Sequence, residues 1–219
     1  MVGKLAWDQT GQKKYETGTD RGVLFPFGDT EYNPGVAWSG LRLVTEAPDG
    51  AEETALYADN IKYLSLLSAE NFKGSIGAYT YPDEFGILDG SVELGKGVTV
   101  GQQPRGLFGF SYRTLIGNDV KGTDYGYKIH LVYGAKVSPS QRENTSVNDT
   151  PAGVELSWDF TTTPIDIPGA KPSAHLIIDS TKVTADQLTQ IEDALYGSAD
   201  TEPHLLMPQE VVDIVKAAA

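Results

Sequence analysis

Between Leu107 and Val137, apolar residues recur with a period of two on both sides of a polar turn, and no other feature of the chain narrows its fold as much. Phe108, Phe110 and Tyr112 share one parity, and Tyr127, Ile129, Leu131 and Tyr133 share another. A period of two over this length predicts half-buried strands, not helix. The centre, Gly117 to Asp124, is rich in turn residues, so the two strands are expected to pair antiparallel. The remainder reads as a mostly β domain built outward from this pair.

The other segments fit that frame. Val36 to Thr45 alternates and predicts one strand, followed by the acidic turn Glu46 to Glu53. Leu56 to Ala58, Asp59-Asn60 and Ile61 to Leu67 read as strand, tight turn, strand. Phe72 to Tyr81 predicts another strand, and Pro82-Asp83-Glu84-Phe85 opens a single helical turn. Ile87 to Gly97 reads as a glycine-rich connector and Ser138 to Ala152 as a long polar one. Val154, Leu156, Trp158 and Phe160 share a strand face, and Ala174 to Ser180 predicts a last core strand. The clearest helix follows. Thr184 and Gln187 have capping-box spacing, Leu188, Ile191, Ala194 and Leu195 form the apolar stripe, and Gly197 ends it. Pro208 starts a second short helix with Val211, Val212 and Val215 apolar, and Ala217 to Ala219 is a fraying end.

Residues 1–35 stand apart as an N-terminal segment ahead of a domain spanning 36–219. Leu5 and Trp7 alternate, as do Val23, Phe25 and Phe27, but the pattern is interrupted. The segment reads either as a core edge or as an inter-subunit arm laid on a neighbour, with Trp7 and Phe25 as anchors.

Composition removes whole classes of function. A chain of 219 residues buries a large core unaided. With no cysteine there is no disulfide scaffold, zinc–thiolate site, iron–sulfur cluster or thiol nucleophile. The 30 acidic and 17 basic residues leave a net charge of -13, which repels polyanions and argues against sequence-reading nucleic-acid binding. No run approaches the length of a membrane span, and the N-terminus lacks a signal-type apolar core, so the expectation is a soluble protein made in a cytoplasm. The 24 glycines and 12 prolines suit short strands with tight turns rather than a helical bundle.

Motifs for chemistry are missing. The three histidines, His130, His175 and His204, have no ligand spacing, and His130, opposite in parity to Ile129 and Leu131, reads as a face residue satisfied by a neighbour. His175 and Asp179 share a strand side but stand too far apart to form a metal pair directly. Gly109-Phe110-Ser111-Tyr112-Arg113 lacks the second glycine of a nucleophile elbow, and Gly95-Lys96-Gly97 lacks phosphate-loop spacing. Asp83 with Glu84, and Asp49 with Glu52 and Glu53, read as solvated loop carboxylates, and Asp59, Asp119 and Asp124 as turn residues. Arg105 and Arg113, set among aromatics, suit stacking or an inter-subunit ion pair. The expectation is therefore no enzyme, with no catalytic, cofactor-binding or metal-ligating residues.

Several long, ordered stretches carry a resemblance. They are Tyr57-Ala58-Asp59-Asn60, Gly77 through Phe85 (GAYTYPDEF), Gly101-Gln102-Gln103 and Phe108 through Thr114 (FGFSYRT). They continue with Ile116 through Asp119, Gly122, Tyr127 through Ala135 (YKIHLVYGA), Val147-Asn148-Asp149, Ser157-Trp158, Thr161 through Pro164 and Ile178 through Thr181. Over about residues 36 to 215 the sequence resembles the major tail proteins, or tail tube proteins, of long-tailed, non-contractile phages and prophages of Gram-positive bacteria. The resemblance implies two packed antiparallel sheets, as a sandwich or partial barrel, with a flanking C-terminal helix over Ala185 to Tyr196. It implies a virion structural protein assembled in the host cytoplasm, forming stacked rings, usually hexameric, around a channel for DNA ejection. The implied partners are further copies of the chain, a tape-measure protein, the tail terminator and distal tail proteins, and DNA that passes without specific binding. Asp59, Glu93, Glu155 and Asp159 are candidates to line the channel.

Two other readings compete with it. One is a different ring-forming tail component, such as a terminator or distal tail protein. The other is an enzyme or carbohydrate-binding β-sandwich, with aromatics such as Tyr79 and Tyr112 lining a sugar groove. On the resemblance, removal of residues 1–20 is expected to leave the β domain folded and to weaken assembly.

Overall fold

The computed structural model describes residues 4–144, 146 and 153–216. Its strands are β1 (Lys14–Pro26), β2 (Val36–Trp38), β3 (Leu41–Glu46), β4 (Asp49–Gly50), β5 (Glu53–Ala58), β6 (Ile61–Leu67) and β7 (Glu70–Asn71). They continue with β8 (Lys73–Ala78), β9 (Val92–Gly95), β10 (Val98–Val100), β11 (Phe108–Asn118), β12 (Gly122–Val137), β13 (Leu156–Thr162) and β14 (His175–Asp179). The helices are α1 (Asp83–Leu88), α2 (Ala185–Tyr196) and α3 (Pro208–Lys216). The protein is mostly β, with antiparallel sheets and C-terminal helices. The motif Val147-Asn148-Asp149, part of the polar connection (145 and 147–152) and the terminal alanines lie outside the described residues.

The β11–β12 hairpin is the centre, as its alternation predicts, with Tyr112 directly opposite His130. From it one eight-stranded sheet runs in the order β2-β1-β11-β12-β13-β8-β3, with β14 also on β12. β14 and β13 lie end to end along one edge of β12: β14 pairs Lys128 to Val132, and β13 pairs Ala135 to Val137. The handover falls at Gly134, whose φ of 56° takes its N–H out of the ladder to the Tyr32 hydroxyl, 2.9 Å away.

The run Val36 to Thr45, expected as one strand, is broken at Ser39-Gly40, where Gly40 has φ 76°. The break sends β2 and β3 to opposite ends of the sheet path. Two strands joined by two residues cannot stand far apart, so the sheet curls round on itself. The two packed sheets expected from the resemblance are thus replaced by one eight-stranded sheet with three two-stranded sheets beside it. Among the described residues β2 and β3 do not pair, so the curl stays open. Leu24, Trp38, Ile76, Phe110, Val132, Trp158 and Phe160 fill the concave side. Phe85 of α1 plugs it, ringed by Trp38, Tyr81, Phe108 and Trp158 with centroids 4.6 to 5.9 Å away.

The opposite parity of β12 faces the helices. Ile129, Leu131 and Tyr133 pack with Ile191 and Leu195 of α2 and Val211 of α3. The capping box forms as the spacing predicts: the Thr184 N–H donates to Gln187 Oε1 at 2.9 Å, and the Gln187 N–H donates to Thr184 Oγ1 at 3.3 Å. The buried Gln187 amide also donates to the Val215 carbonyl at 2.9 Å, tying α2 to α3.

Of the two readings of the N-terminal segment, a place in the core applies to Lys14–Pro26. This stretch is a strand paired along its length with β11, and Phe25 is fully buried. Its first half, Lys14 to Asp20, was not foreseen, because Gly18 and charged residues hide any alternation. Trp7 lies outside the sheet and is 76% exposed. The predicted connector Ile87 to Gly97 instead holds the end of α1 and the first strand of the β9–β10 hairpin.

Candidate functional site

Strand pairing brings three separated residues to one point on the concave face. His130 lies beside its partner Tyr112, with the rings stacked at 4.5 Å between centroids. On the other edge of β12, His175 pairs with Val132, two residues from His130, so both imidazoles share a face. β3 contributes its last residue, Glu46. The His130 Nδ1 lies 3.1 Å from His175 Nε2 and 3.2 Å from Glu46 Oε1. The Thr114 hydroxyl meets His130 Nε2 at 3.0 Å, and the Tyr112 hydroxyl donates to Glu46 Oε1 at 2.6 Å. Phe72 stacks on His175 with centroids 4.3 Å apart.

The electrostatics follow from these contacts. The hydrogen bond from His130, helped by that from Tyr112, lowers Glu46 to about 2. Burial lowers His175 to about 4, because charging an imidazole away from water is unfavourable. His130 is 4% exposed. The same ligand-type atoms of Glu46, His130 and His175 lie within 4.8 Å of one another, a set able to hold a cation. Thr114, His130 and Glu46 also line up as hydroxyl, imidazole and carboxylate, the order of an activated nucleophile. The nearby cleft lined by Thr45, Ala47, Lys73 and Asp159 takes in neither Thr114 nor His130.

The cluster was missed in the sequence because its members are 46, 130 and 175, with no local spacing. The available signal was parity: His130 and Tyr112 both oppose the helix-facing residues. His175 and Asp179 do not act together. Asp179 accepts from Thr181 and lies 3.5 Å from Lys182.

The remaining candidates are dispersed. His204 is on the surface, 4.0 Å from Glu210. Arg113 forms a two-pronged pair with Asp20, both bonds 2.7 Å, and lies over the Tyr127 ring, so its ion pair is made within the chain. Arg105 is 3.8 Å from Asp89. Asp83 and Glu84 sit in the first turn of α1, and Asp49 bridges Lys73 at 2.7 Å. Asp119 accepts from the Gly11 N–H. Among the channel candidates, Asp59 is in the β5–β6 turn, Glu93 on β9, and Glu155 pairs with Arg42 at 2.7 Å beside the strand that carries Asp159. Tyr112, half of the sugar-groove reading, is buried.

The second notable feature projects from the body. From Ala47 to Phe72 the chain forms a long hairpin arm, β4-β5-turn-β6-β7, growing out of β3 and β8. Asp59 (φ 52°) and Asn60 (φ 62°) turn it, the positive pair of a type I′ turn. Leu56, Tyr57, Ile61, Tyr63, Leu66 and Leu67 are all exposed, Tyr57 and Tyr63 at 71% each. The β9–β10 hairpin likewise exposes Leu94 and Val98. No helix among the described residues is long and apolar enough to cross a membrane. Neither a model of a known protein family nor a curated protein matches this sequence.

Proposed function

We propose that this protein is a structural subunit that polymerises with its own copies into a hollow tube, in the manner of the phage tail-tube proteins its sequence resembles. The observation that carries the reading is the hairpin arm. Isolated two-stranded hairpins are marginal in water. This one also presents large apolar side chains on both faces of β6. Contiguous exposed apolar surface of this kind marks a protein interface. An occupant of the same chain is favoured because the arm is a repeating feature of every copy, and an open curled sheet has end strands that a neighbour can extend.

On this reading the curled sheet and its flanking helices form the tail-tube-like body, and the arm and N-terminal residues join subunits. The net charge of -13 on each copy gives an acidic assembly through which DNA passes without adhering. The tape-measure, terminator and distal tail proteins are the partners that set length and ends.

The test is negative-stain electron microscopy of the purified, untagged chain at rising protein and salt concentration. Salt screens the repulsion between acidic copies, so assembly should strengthen with it. Stacked hollow rings are expected. Single rings that never stack would move the reading to a terminator-type protein. Monomers throughout, even with isolated tail tips added as nuclei, would refute it.

A further inference from the structure

The geometry points to Glu46, His130 and His175 as the protein ligands of a divalent transition-metal site, of the zinc class, that clamps the root of the hairpin arm to the central sheet. Three Lewis-basic atoms converge here: His130 Nδ1, His175 Nε2 and Glu46 Oε1, with the first 3.1 and 3.2 Å from the other two. A tetrahedral ion with bonds near 2.1 Å separates its ligands by roughly 3.4 Å; His130 Nδ1 already stands close to that spacing from both partners, and all three atoms lie within 4.8 Å of one another, so binding has to draw Glu46 and His175 together. A proton is a poor substitute for that ion. In its neutral form, an Nδ1–H carries one hydrogen, yet here the atom faces a carboxylate oxygen and a second imidazole nitrogen at nearly equal distance.

The surroundings are those of a ligand set. A histidine bound through Nδ1 carries its proton on Nε2, and that atom meets the Thr114 hydroxyl at 3.0 Å. The Tyr112 hydroxyl orients the carboxylate at 2.6 Å. Two imidazoles with one carboxylate favour zinc, nickel or copper over magnesium or calcium. Glu46 opens to solvent, which leaves the fourth position to water.

The location supplies the role. Glu46 is the last residue of β3, immediately before the arm. Phe72, its last residue, lies against His175. An ion bridging Glu46 to β12 and β14 therefore ties both ends of the arm to the two strands that carry the helices. Metal binding does not depend on tube formation, so failure of either reading leaves the other standing.

The test is calorimetric titration of the untagged, chelator-stripped full chain with Zn²⁺, with Mg²⁺ as a parallel arm. One equivalent of Zn²⁺ should bind and Mg²⁺ should not. Glu46→Gln, which keeps an acceptor for Tyr112, and His175→Asn should each weaken binding roughly tenfold or more, and Thr114→Val by about tenfold. His204→Asn should leave it unchanged. Should a variant fold poorly, wild-type nitrogen NMR decides: Zn²⁺ must shift His130 Nδ1 and His175 Nε2 together. Amide exchange at 44–47 and 72–75 should slow on binding. No saturable binding, or binding lost only with His204, would overturn the site. Unchanged exchange at the arm root would overturn the clamp.

Discussion

Single residues decide where this sheet can close on itself. A Cβ at Gly74 would overlap the Thr45 carbonyl oxygen and lie 3.0 Å from the Phe160 ring. The obstacle on one side is backbone, which cannot rotate away, so β3 would have to separate from β8. Gly74→Ala is expected to lower stability by about 1–3 kcal/mol, read from denaturant midpoints. An unchanged midpoint would mean that β3 packs more loosely than described. Titration offers a second residue-scale test. Burial raises Tyr127 and Tyr196 to about 12, with the Glu192 carboxylate adding to both. The unfolded phenol titrates near 10, so the folded state holds these protons more tightly. That stability is complete below about pH 10 and is lost as pH rises through about 12. Thermal melts across that window should fall, and Tyr196→Phe should flatten the fall. An equal fall in the variant would assign the alkaline loss to other groups.

At the scale of elements, the body and the arm are energetically separate. Both core clusters are built from the large sheet, the helices and the segments beside them, and neither takes a residue from β5 or β6. The arm holds itself together by its ladder, the Leu56–Leu64 cross-strand pair, and the ion pair of Lys62 with Glu53. Replacing 53–67 with a two-residue Asn-Gly turn should therefore leave the melting cooperative and stability within about 0.5 kcal/mol. Assembly into rings or tubes should disappear. A large loss of stability would mean that the arm belongs to the monomer's core and not to an interface. By contrast β1, half of it unforeseen from the sequence, pairs along β11 and carries Leu24 and Phe25 into separate cores. Removing residues 1–20 takes away Lys14 to Asp20 and so half of this pairing, a larger disturbance than removing an arm alone.

At the scale of the molecule, one sheet serves two cores. Its concave side holds an aromatic cluster plugged by α1, and its convex side carries α2 and α3. That double coverage is why β11 is buried on both faces over Phe108–Tyr112 and β12 over Ile129–Tyr133, while the peripheral hairpins are not. On the proposed reading, the apolar side chains exposed on the projecting hairpins are the surfaces through which copies meet. If copies do assemble as proposed, the repulsion between chains of net charge -13 should set a threshold of concentration and salt for it.

Alternation alone determined the β11–β12 hairpin and the faces of its residues, because side chains in a strand can only point two ways. Local chemistry likewise determined α2, from Thr184 to Gly197, since capping needs only neighbours in sequence. The Asp59-Asn60 turn was legible for the same reason. Strand order was not. The break at Gly40, the handover at Gly134 and the curl that carries β2 and β3 to opposite ends of the sheet all depend on contacts between distant segments. The meeting of Glu46, His130 and His175 is a product of that order: only the pairing of β12 with β14 and the return of β3 set His175 and Glu46 3.1 and 3.2 Å from His130.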